Sequence, residues 1–242
     1  MFSKNHIHFD NLDSTNEFTL SLKGTPMFRE GLLISTKHQT KGKGQRGKKW
    51  ESGANKNLLI SVVIEPNIPI SKQFTISKLV ALAIYDVLIS LGLEAKIKWP
   101  NDILVNSKKI AGILIQNILK KNQIIHSVIG IGVNVNQTKF SQFDRKATSL
   151  KLVLNKAYDI LEVQHKLLHF LEKRVIEFKA NIKQDKDYLQ ALYLFEKWTT
   201  FEVNNTQFSG RIKGVNRVGK LIIEKEDRHV FEYDLQEIKL LF

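Results

Sequence analysis

Residues 36–52 read TKHQTKGKGQRGKKWES and lie between two apolar segments, 31–36 and 57–64, each with the length and composition of a β-strand. The stretch holds six Lys or Arg, spaced by Gly42, Gly44 and Gly47, and closes with Trp50. Because strand follows strand, the chain cannot use the strand–glycine loop–helix arrangement of a nucleotide-binding P-loop. Glycine allows positive φ and close approach of backbone to a ligand. The cations suit a phosphate or carboxylate, and Trp50 offers a flat face for a base. A solvated basic loop has the same composition, so neighbouring motifs must decide between the two.

The pattern along the chain predicts a strand at His6–Phe9, then a capping box at Ser14–Glu17 that opens a helix to about Leu22. In that box Ser14 accepts from a backbone N–H near Glu17, and Glu17 reaches back. Strands follow at Gly31–Thr36 and Asn57–Ile64. Pro66 and Pro69 break the chain. Phe74–Leu91 has helical periodicity, with Leu79, Val80, Ala83, Val87 and Leu91 on one face and Gly92 at the C′ position. Ala95–Lys98 is a strand, Ile103–Val105 and Ile110–Leu119 form a hairpin, and Ile124–Asn136 is again strand-like. Phe140–Asn155 reads as polar and irregular. Asp159–Ala180 is a long amphipathic helix with Leu161, Leu167, Leu168, Leu171, Val175 and Phe178 as its apolar face. From Thr200 to Phe242 short alternating strands are split by turns at Asn204-Asn205, Asn216–Gly219 and Glu226-Asp227, a small all-β module. The expected sheet is mostly antiparallel with helices on one side.

Length and composition fit this reading. The 242 residues, 43% hydrophobic and 25% charged, suffice for one large domain or one domain with a small appendage. The absence of cysteine excludes disulfides and thiol chemistry. No apolar run is expected to reach the ~18 residues of a membrane span, and the N-terminus lacks a signal-peptide core. A soluble cytoplasmic protein is expected by default. Lys plus Arg total 37 against 24 Asp plus Glu, a formal charge of +13. That balance favours anionic partners, nucleic acid included, although the basic residues are spread along the chain rather than gathered on a reading helix.

Three further segments carry chemistry. Lys98-Trp99-Pro100-Asn101-Asp102 ends a strand; a structural turn explains Pro100 and Asn101 but not Lys98 and Trp99. In Lys108–Leu114, small Ala111 and Gly112 permit close approach inside an apolar strand, and Lys109 stands at its start. Gly130 and Gly132 alternate in a strand and share a face with Asn134. A flat bicyclic ligand lying there is one reason for them; a bulge or tight helix packing is another. None of the histidines has metal-binding spacing; His165 and His169, four apart on the long helix, lack a third ligand.

Asp13–Asn16, Gln39–Trp50, Lys98–Asp102, Lys109–Leu114 and Gly130–Asn134, in that order and at those spacings, resemble the biotin protein ligases, also called biotin–[acetyl-CoA-carboxylase] ligases. The resemblance implies an α+β fold: a class II aminoacyl-tRNA synthetase-like, mostly antiparallel sheet with flanking helices over residues 1–193, and a small Src-homology-like β-barrel over 194–242. It implies that biotin and MgATP form biotinyl-5′-AMP, and that a lysine of a biotin carrier domain then takes the biotinyl group. Ser14, Thr15 and Gln39 would bind the ureido end, with Gly42 and Lys43 lining that pocket. Gly112, Gly130 and Gly132 would make room for the bicycle and its tail. Lys109 would contact the biotin carboxylate and α-phosphate, and Lys43 and Arg46 would join it as catalytic cations. Arg46 and Lys48 would hold phosphates, Trp50 would pack on the adenine, and Asn101 and Asn134 would also contact the nucleotide, Asn134 at the base edge. Asp102 would help place Mg2+.

Two features depart from the family pattern. Gln45 stands where many members have an arginine that helps to retain the adenylate. The DNA-binding domain of repressor-type members is not expected, since His6 already begins the catalytic fold, so no operator binding is anticipated. No membrane partner is expected; a homodimer is compatible with the resemblance. A lipoate or octanoate ligase of the same superfold, or a basic nucleic-acid-binding protein, are the competing readings.

Overall fold

The computed structural model describes residues 1–2, 5–141 and 147–241. Eight strands form the larger sheet: β1 (Asn5–Leu12), β2 (Leu32–Gln39), β3 (Asn57–Ile64), β4 (Ile68–Pro69), β5 (Ala95–Lys98), β6 (Asp102–Val105), β7 (Lys108–Lys120) and β8 (Gln123–Asn134). Their order is β1-β2-β3-β8-β7-β6-β5, with β4 paired to β8. Only the edge pair β1–β2 is parallel; the remaining pairs are antiparallel. The inner strand β3 is NLLISVVI, buried along its whole length, because both faces of the sheet are covered there.

One face packs against helices α2 (Phe74–Ser90) and α4 (Ile160–Lys179) and carries the main core, including Leu58, Ile60, Val62, Ile129 and Ile131. The other face does not stay bare, contrary to the expectation of helices on one side. Helix α1 (Thr15–Ser21) lies there, and its Phe18 and Leu20 close a second apolar cluster of Phe28, Leu32, Ile34, Val63 and Val128. Beyond α1 this same face opens into a cavity.

Local signals explain most boundaries. Ser14 caps α1, its side chain accepting from Glu17 N at 3.5 Å. The reciprocal half of the box is absent: the Glu17 carboxylate instead holds the Lys43 ammonium. Asp159 caps α4 by accepting from Leu161 N at 2.9 Å. Leu161 itself is 55% exposed, so the apolar face begins at Val163 and not where the periodicity put it. Two short helices were not anticipated. In the segment read as irregular, α3 (Leu150–Leu154) is capped by Ser149 and ended by Asn155 at φ 51°; residues 142–146 of that segment lie outside the described residues. Helix α5 (Asp185–Ala191) buries Tyr188, whose hydroxyl pKa is driven up by that burial.

Ile70–Ser90 is long and apolar enough, by length and composition alone, to cross a membrane. Lys72, Lys78 and Asp86 interrupt the run, and the last two are used internally: Lys78 pairs with Asp185, and Asp86 with Arg174. Arg174 also reaches Glu177 and Asp187, tying α2, α4 and α5 together. Desolvation opposes its charge, yet the hydrogen bonds to Asp86 and Asp187 raise its pKa above the ordinary value.

The second sheet is antiparallel: β9 (Trp198–Val203), β10 (Thr206–Val215), β11 (Leu221–Lys225), β12 (Val230–Tyr233) and β13 (Lys239–Leu240), in the order β12-β11-β10-β9-β13. Asn204 and Asn205 take positive φ in the two-residue hairpin between β9 and β10, as that turn demands. Phe242 lies outside the described residues. Phe201, Ile212, Leu221 and Ile223 of this sheet belong to the same continuous core as the larger sheet. Trp99 Nε1 also donates to Gly219 O at 2.8 Å across the junction.

Candidate active site

A cavity of about 870 Å³ lies between the open face of the larger sheet, the start of α1, the 98–102 turn and the second sheet. All the predicted site residues line it except Gly42 and Asn134. Topology brings them together. Adjacent strands β7 and β8 supply the floor, the α1 N-terminus one wall, and the basic loop between β2 and β3 the cover.

The wall is a hydrogen-bonded cluster. Thr15 donates to Gln39 Oε1 from its backbone N at 2.8 Å and its Oγ1 at 3.1 Å. Ser61 Oγ of β3 lies 2.7 Å from Thr15 Oγ1 and 2.6 Å from Asn16 Oδ1. Asn16 Nδ2 donates to Leu114 O at 3.2 Å and Gln116 Oε1 at 3.0 Å. Buried polar groups paired in this way are held rigidly in place. Asn16 belongs to the Asp13–Asn16 motif, and no sequence signal marks its role. It sits on the inward face of the first turn of α1, and Ser61 opposes it from a strand that looked purely apolar.

Gly130 makes room for Asn16: a Cβ there would lie 2.4 Å from Asn16 Oδ1. Gly112 and Gly132 are register partners and do form a bare floor, but the indole of Trp50 lies on it. A Cβ on Gly132 would meet Trp50 Cε2 and Cζ2 at 2.5 Å, and one on Gly112 would meet Cζ3 at 2.9 Å. Lys109 Nζ stands 5.4 Å from the centre of the Trp50 ring, a cation–π approach. It is also 2.8 Å from Asp102 Oδ1, an ion-pair contact whose angles are not those of a hydrogen bond. Asn101 Nδ2 donates to Ile113 O at 2.9 Å, so this residue fastens the 98–102 turn to β7.

Two of the expected site residues do not line the cavity in this structure. Gly42 does not face the cavity. It is the point where the two limbs of the loop cross: Trp50 N donates to its carbonyl at 3.0 Å, and a Cβ would lie 2.5 Å from Trp50 O. Asn134, the last residue of β8, is buried and donates to Thr148 O at 3.0 Å. It anchors the strand-like residues Ala147 and Thr148 beside Lys109.

The basic loop is held by carboxylates. Lys43 pairs with Glu17, Lys41 with Asp13 at 2.9 Å, and Arg46 with Asp234 of the second sheet's β12–β13 connection at 3.9 Å. The Thr40 hydroxyl first, then Lys41, hold the Asp13 carboxyl below its ordinary range. Arg46 adopts φ 58° inside a 3₁₀ turn at Gln45–Gly47. These pairs are exposed, so they are weak and screened by salt. Among the described residues no group of three or more His, Cys, Asp or Glu could hold a metal ion. Asp102 is the carboxylate on the cavity wall nearest Lys109, which suits a magnesium ion carried mainly by phosphates.

The cavity has a hydrogen-bonding wall, a backbone floor and a glycine-rich cationic cover, features that suit an anion and a flat organic group. Residues 9–134 match the biotin/lipoate A/B protein ligase family. The bifunctional ligase/repressor BirA of Bacillus subtilis is 30% identical over 239 residues, 95% of this chain and 73% of that protein. The biotin–[acetyl-CoA-carboxylase] ligase of Mycobacterium tuberculosis is 31% identical over 181 residues, 72% of this chain and 66% of that one. Among solved structures, the biotin protein ligase of Aquifex aeolicus in complex with biotin and ATP superposes with a TM-score of 0.79 at 26% identity, covering 98% of this chain and 99% of that one. The chain therefore belongs to the biotin/lipoate A/B protein ligase family. Within that family it falls among the biotin protein ligases.

Proposed function

We propose that the protein joins biotin to a specific lysine of a biotin carrier domain in two steps. In the first, a biotin carboxylate oxygen attacks the α-phosphorus of ATP, forming biotinyl-5′-AMP and releasing pyrophosphate. In the second, a neutral lysine amine attacks the acyl carbon, AMP leaves with the C–O bonding pair, and the amine's proton passes to solvent. The observation that carries this reading is the convergence of Lys109, the Gly112–Gly132 floor and the loop cations on one cavity.

The chemistry follows from the charges. Two anions must meet in the first step, and fixed cations where charge gathers lower that barrier. Lys109 is placed to bridge carboxylate and α-phosphate, with Lys43 and Arg46 completing the cationic set as they exchange their carboxylate partners for phosphates. Lys48 lines the same mouth and would hold the outer phosphates, with Asn101 on the nucleotide side. Ser14, Thr15 and Gln39 would present the ureido edge with donors and acceptors. Mg2+, when bound with ATP, would neutralise phosphate charge; Asp102 is the residue to hold it. The loop then excludes water from the mixed anhydride.

Residues 1–193, which hold the larger sheet and its helices, form the class II aminoacyl-tRNA synthetase-like catalytic unit in this proposal. Residues 194–242 are read as a Src-homology-like barrel, and the protein as soluble and cytoplasmic. The relatives named as acetyl-CoA-carboxylase ligases support a carboxylase carrier domain as acceptor. ATP–pyrophosphate exchange tests the first step. Exchange should require biotin and should not be supported by lipoate; exchange with lipoate alone, or none with biotin at any magnesium concentration, refutes the reading.

A further inference from the structure

We infer that Ser61 is a positioning residue that sets the hydrogen-bond polarity of the cavity wall, and with it the preference for a ureido edge; the inference rests on the function proposed above. Ser61 is fully buried in β3, behind Thr15 and Asn16, and is not among the residues that line the cavity. Its role follows from counting hydrogens. A side-chain amide nitrogen carries two and a hydroxyl one. Asn16 Nδ2 uses both, on Leu114 O at 3.2 Å and Gln116 Oε1 at 3.0 Å. Because Leu114 O is a backbone carbonyl, the Asn16 amide cannot turn over, and its Oδ1 must accept. Ser61 Oγ, 2.6 Å away, is the donor. That bond spends the only hydrogen Ser61 has.

Thr15 Oγ1 lies 2.7 Å from the same Ser61 oxygen. With the Ser61 hydrogen spent on Asn16, the hydrogen in this second contact comes from Thr15; two bare lone pairs at that distance would repel. The Thr15 hydrogen therefore points into the protein, toward Ser61 and, at 3.1 Å, toward Gln39 Oε1. What the Thr15 hydroxyl turns to the cavity is an acceptor only. Gln39 is set the opposite way. Its Oε1 takes the Thr15 backbone N–H at 2.8 Å, which leaves Nε2 as the donor. The wall thus presents an acceptor beside a donor, the complement of an N–H beside a C=O. A urea edge carries that pair, and the dithiolane ring of lipoate carries neither. A site whose buried polar groups are fixed in this sense rejects a ligand that leaves them unpaired.

Ser61→Val and Ser61→Thr share one shape and differ by the hydroxyl. In biotin-dependent pyrophosphate exchange, Ser61→Val should raise the biotin KM about tenfold or more with the ATP KM unmoved, and Ser61→Thr should restore the native value. A second ligand separates polarity from mere support of the fold. It is the cyclic carbamate of biotin, with oxygen in place of one ring N–H; of the two regioisomers, the one the native chain binds less well is used. Its oxygen meets the Thr15 lone pairs in the native chain. In Ser61→Val the Thr15 hydroxyl is free to turn and donate to it. The preference for biotin over the carbamate, read as a ratio of calorimetric Kd values, should fall about tenfold in Ser61→Val and stay native in Ser61→Thr. Ser61→Ala, which adds no bulk, gives the same comparison if circular dichroism shows that the larger side chains prevent folding. A native chain that binds both ligands equally, or equal losses for the two in Ser61→Val or Ser61→Ala, overturns the inference while leaving the function intact. No calorimetric binding of biotin to the native chain overturns the function, and the inference with it.

Discussion

Lys109 is held on two sides, by the Asp102 carboxylate at 2.8 Å and by the face of Trp50. It is thereby placed before substrate arrives, which is what electrostatic preorganisation requires. Lys109→Ala should lower the rate of biotin-dependent pyrophosphate exchange by at least ~10²-fold while the fold persists by circular dichroism. Near-normal turnover would show that its role is misassigned. Gln45, on the cavity wall, offers no charge to retain the adenylate. Gln45→Arg should slow the escape of labelled biotinyl-AMP from the enzyme; equal escape rates in the two proteins would show that position 45 does not govern retention. At this scale sequence reading located the glycines but not what fills the space they leave. A glycine in a strand announces a close approach. It does not say whether Asn16, Trp50 or a ligand makes it.

Elements with strong periodicity or caps, such as α2, α4, β3 and the β6–β7 hairpin, were legible because burial and turn chemistry act over a few residues. Helices α3 and α5 were not, because five and seven residues are too few to show a period. The side of the sheet taken by α1 was hidden too, since a strand buried on both faces shows no alternation. Arg174 shows what joins the helices. Arg174→Ala would strand Asp86 and Glu177, which are 18% and 22% exposed, at a cost of about 3 kcal/mol. For a chain of this size that lowers Tm by about 6–12 °C; a change under 2 °C, well below that estimate, would contradict it. On β1, His6 is held neutral by partial burial, then by His8 and His165, so its pKa lies below 6.5. The unfolded chain binds that proton more readily, so stability should fall as pH drops below 6.5 and be fully kept above it. Urea midpoints between pH 8 and pH 5 should show this loss, and His6→Gln should flatten it. An equal slope in His6→Gln would assign the effect elsewhere.

At the scale of the molecule, the larger sheet carries the floor and wall while the second sheet closes the far side of the cavity. Asp234 reaches back to Arg46, and Gly219 to Trp99. None of these junction contacts was legible in the sequence, because each joins residues more than a hundred positions apart with no local pattern to mark them. The order of the five motifs was legible, and it led to the family that residues 9–134 match. The separate parts matter only if they work as one ligase. Incubation of the purified chain with labelled biotin, MgATP and a purified biotin carrier domain measures that most directly. Label should appear on a single lysine of the carrier domain, in amide linkage, and only when ATP and biotin are both present. A carrier domain that stays unlabelled under those conditions, with a competent ligase labelling the same sample, would contradict the account.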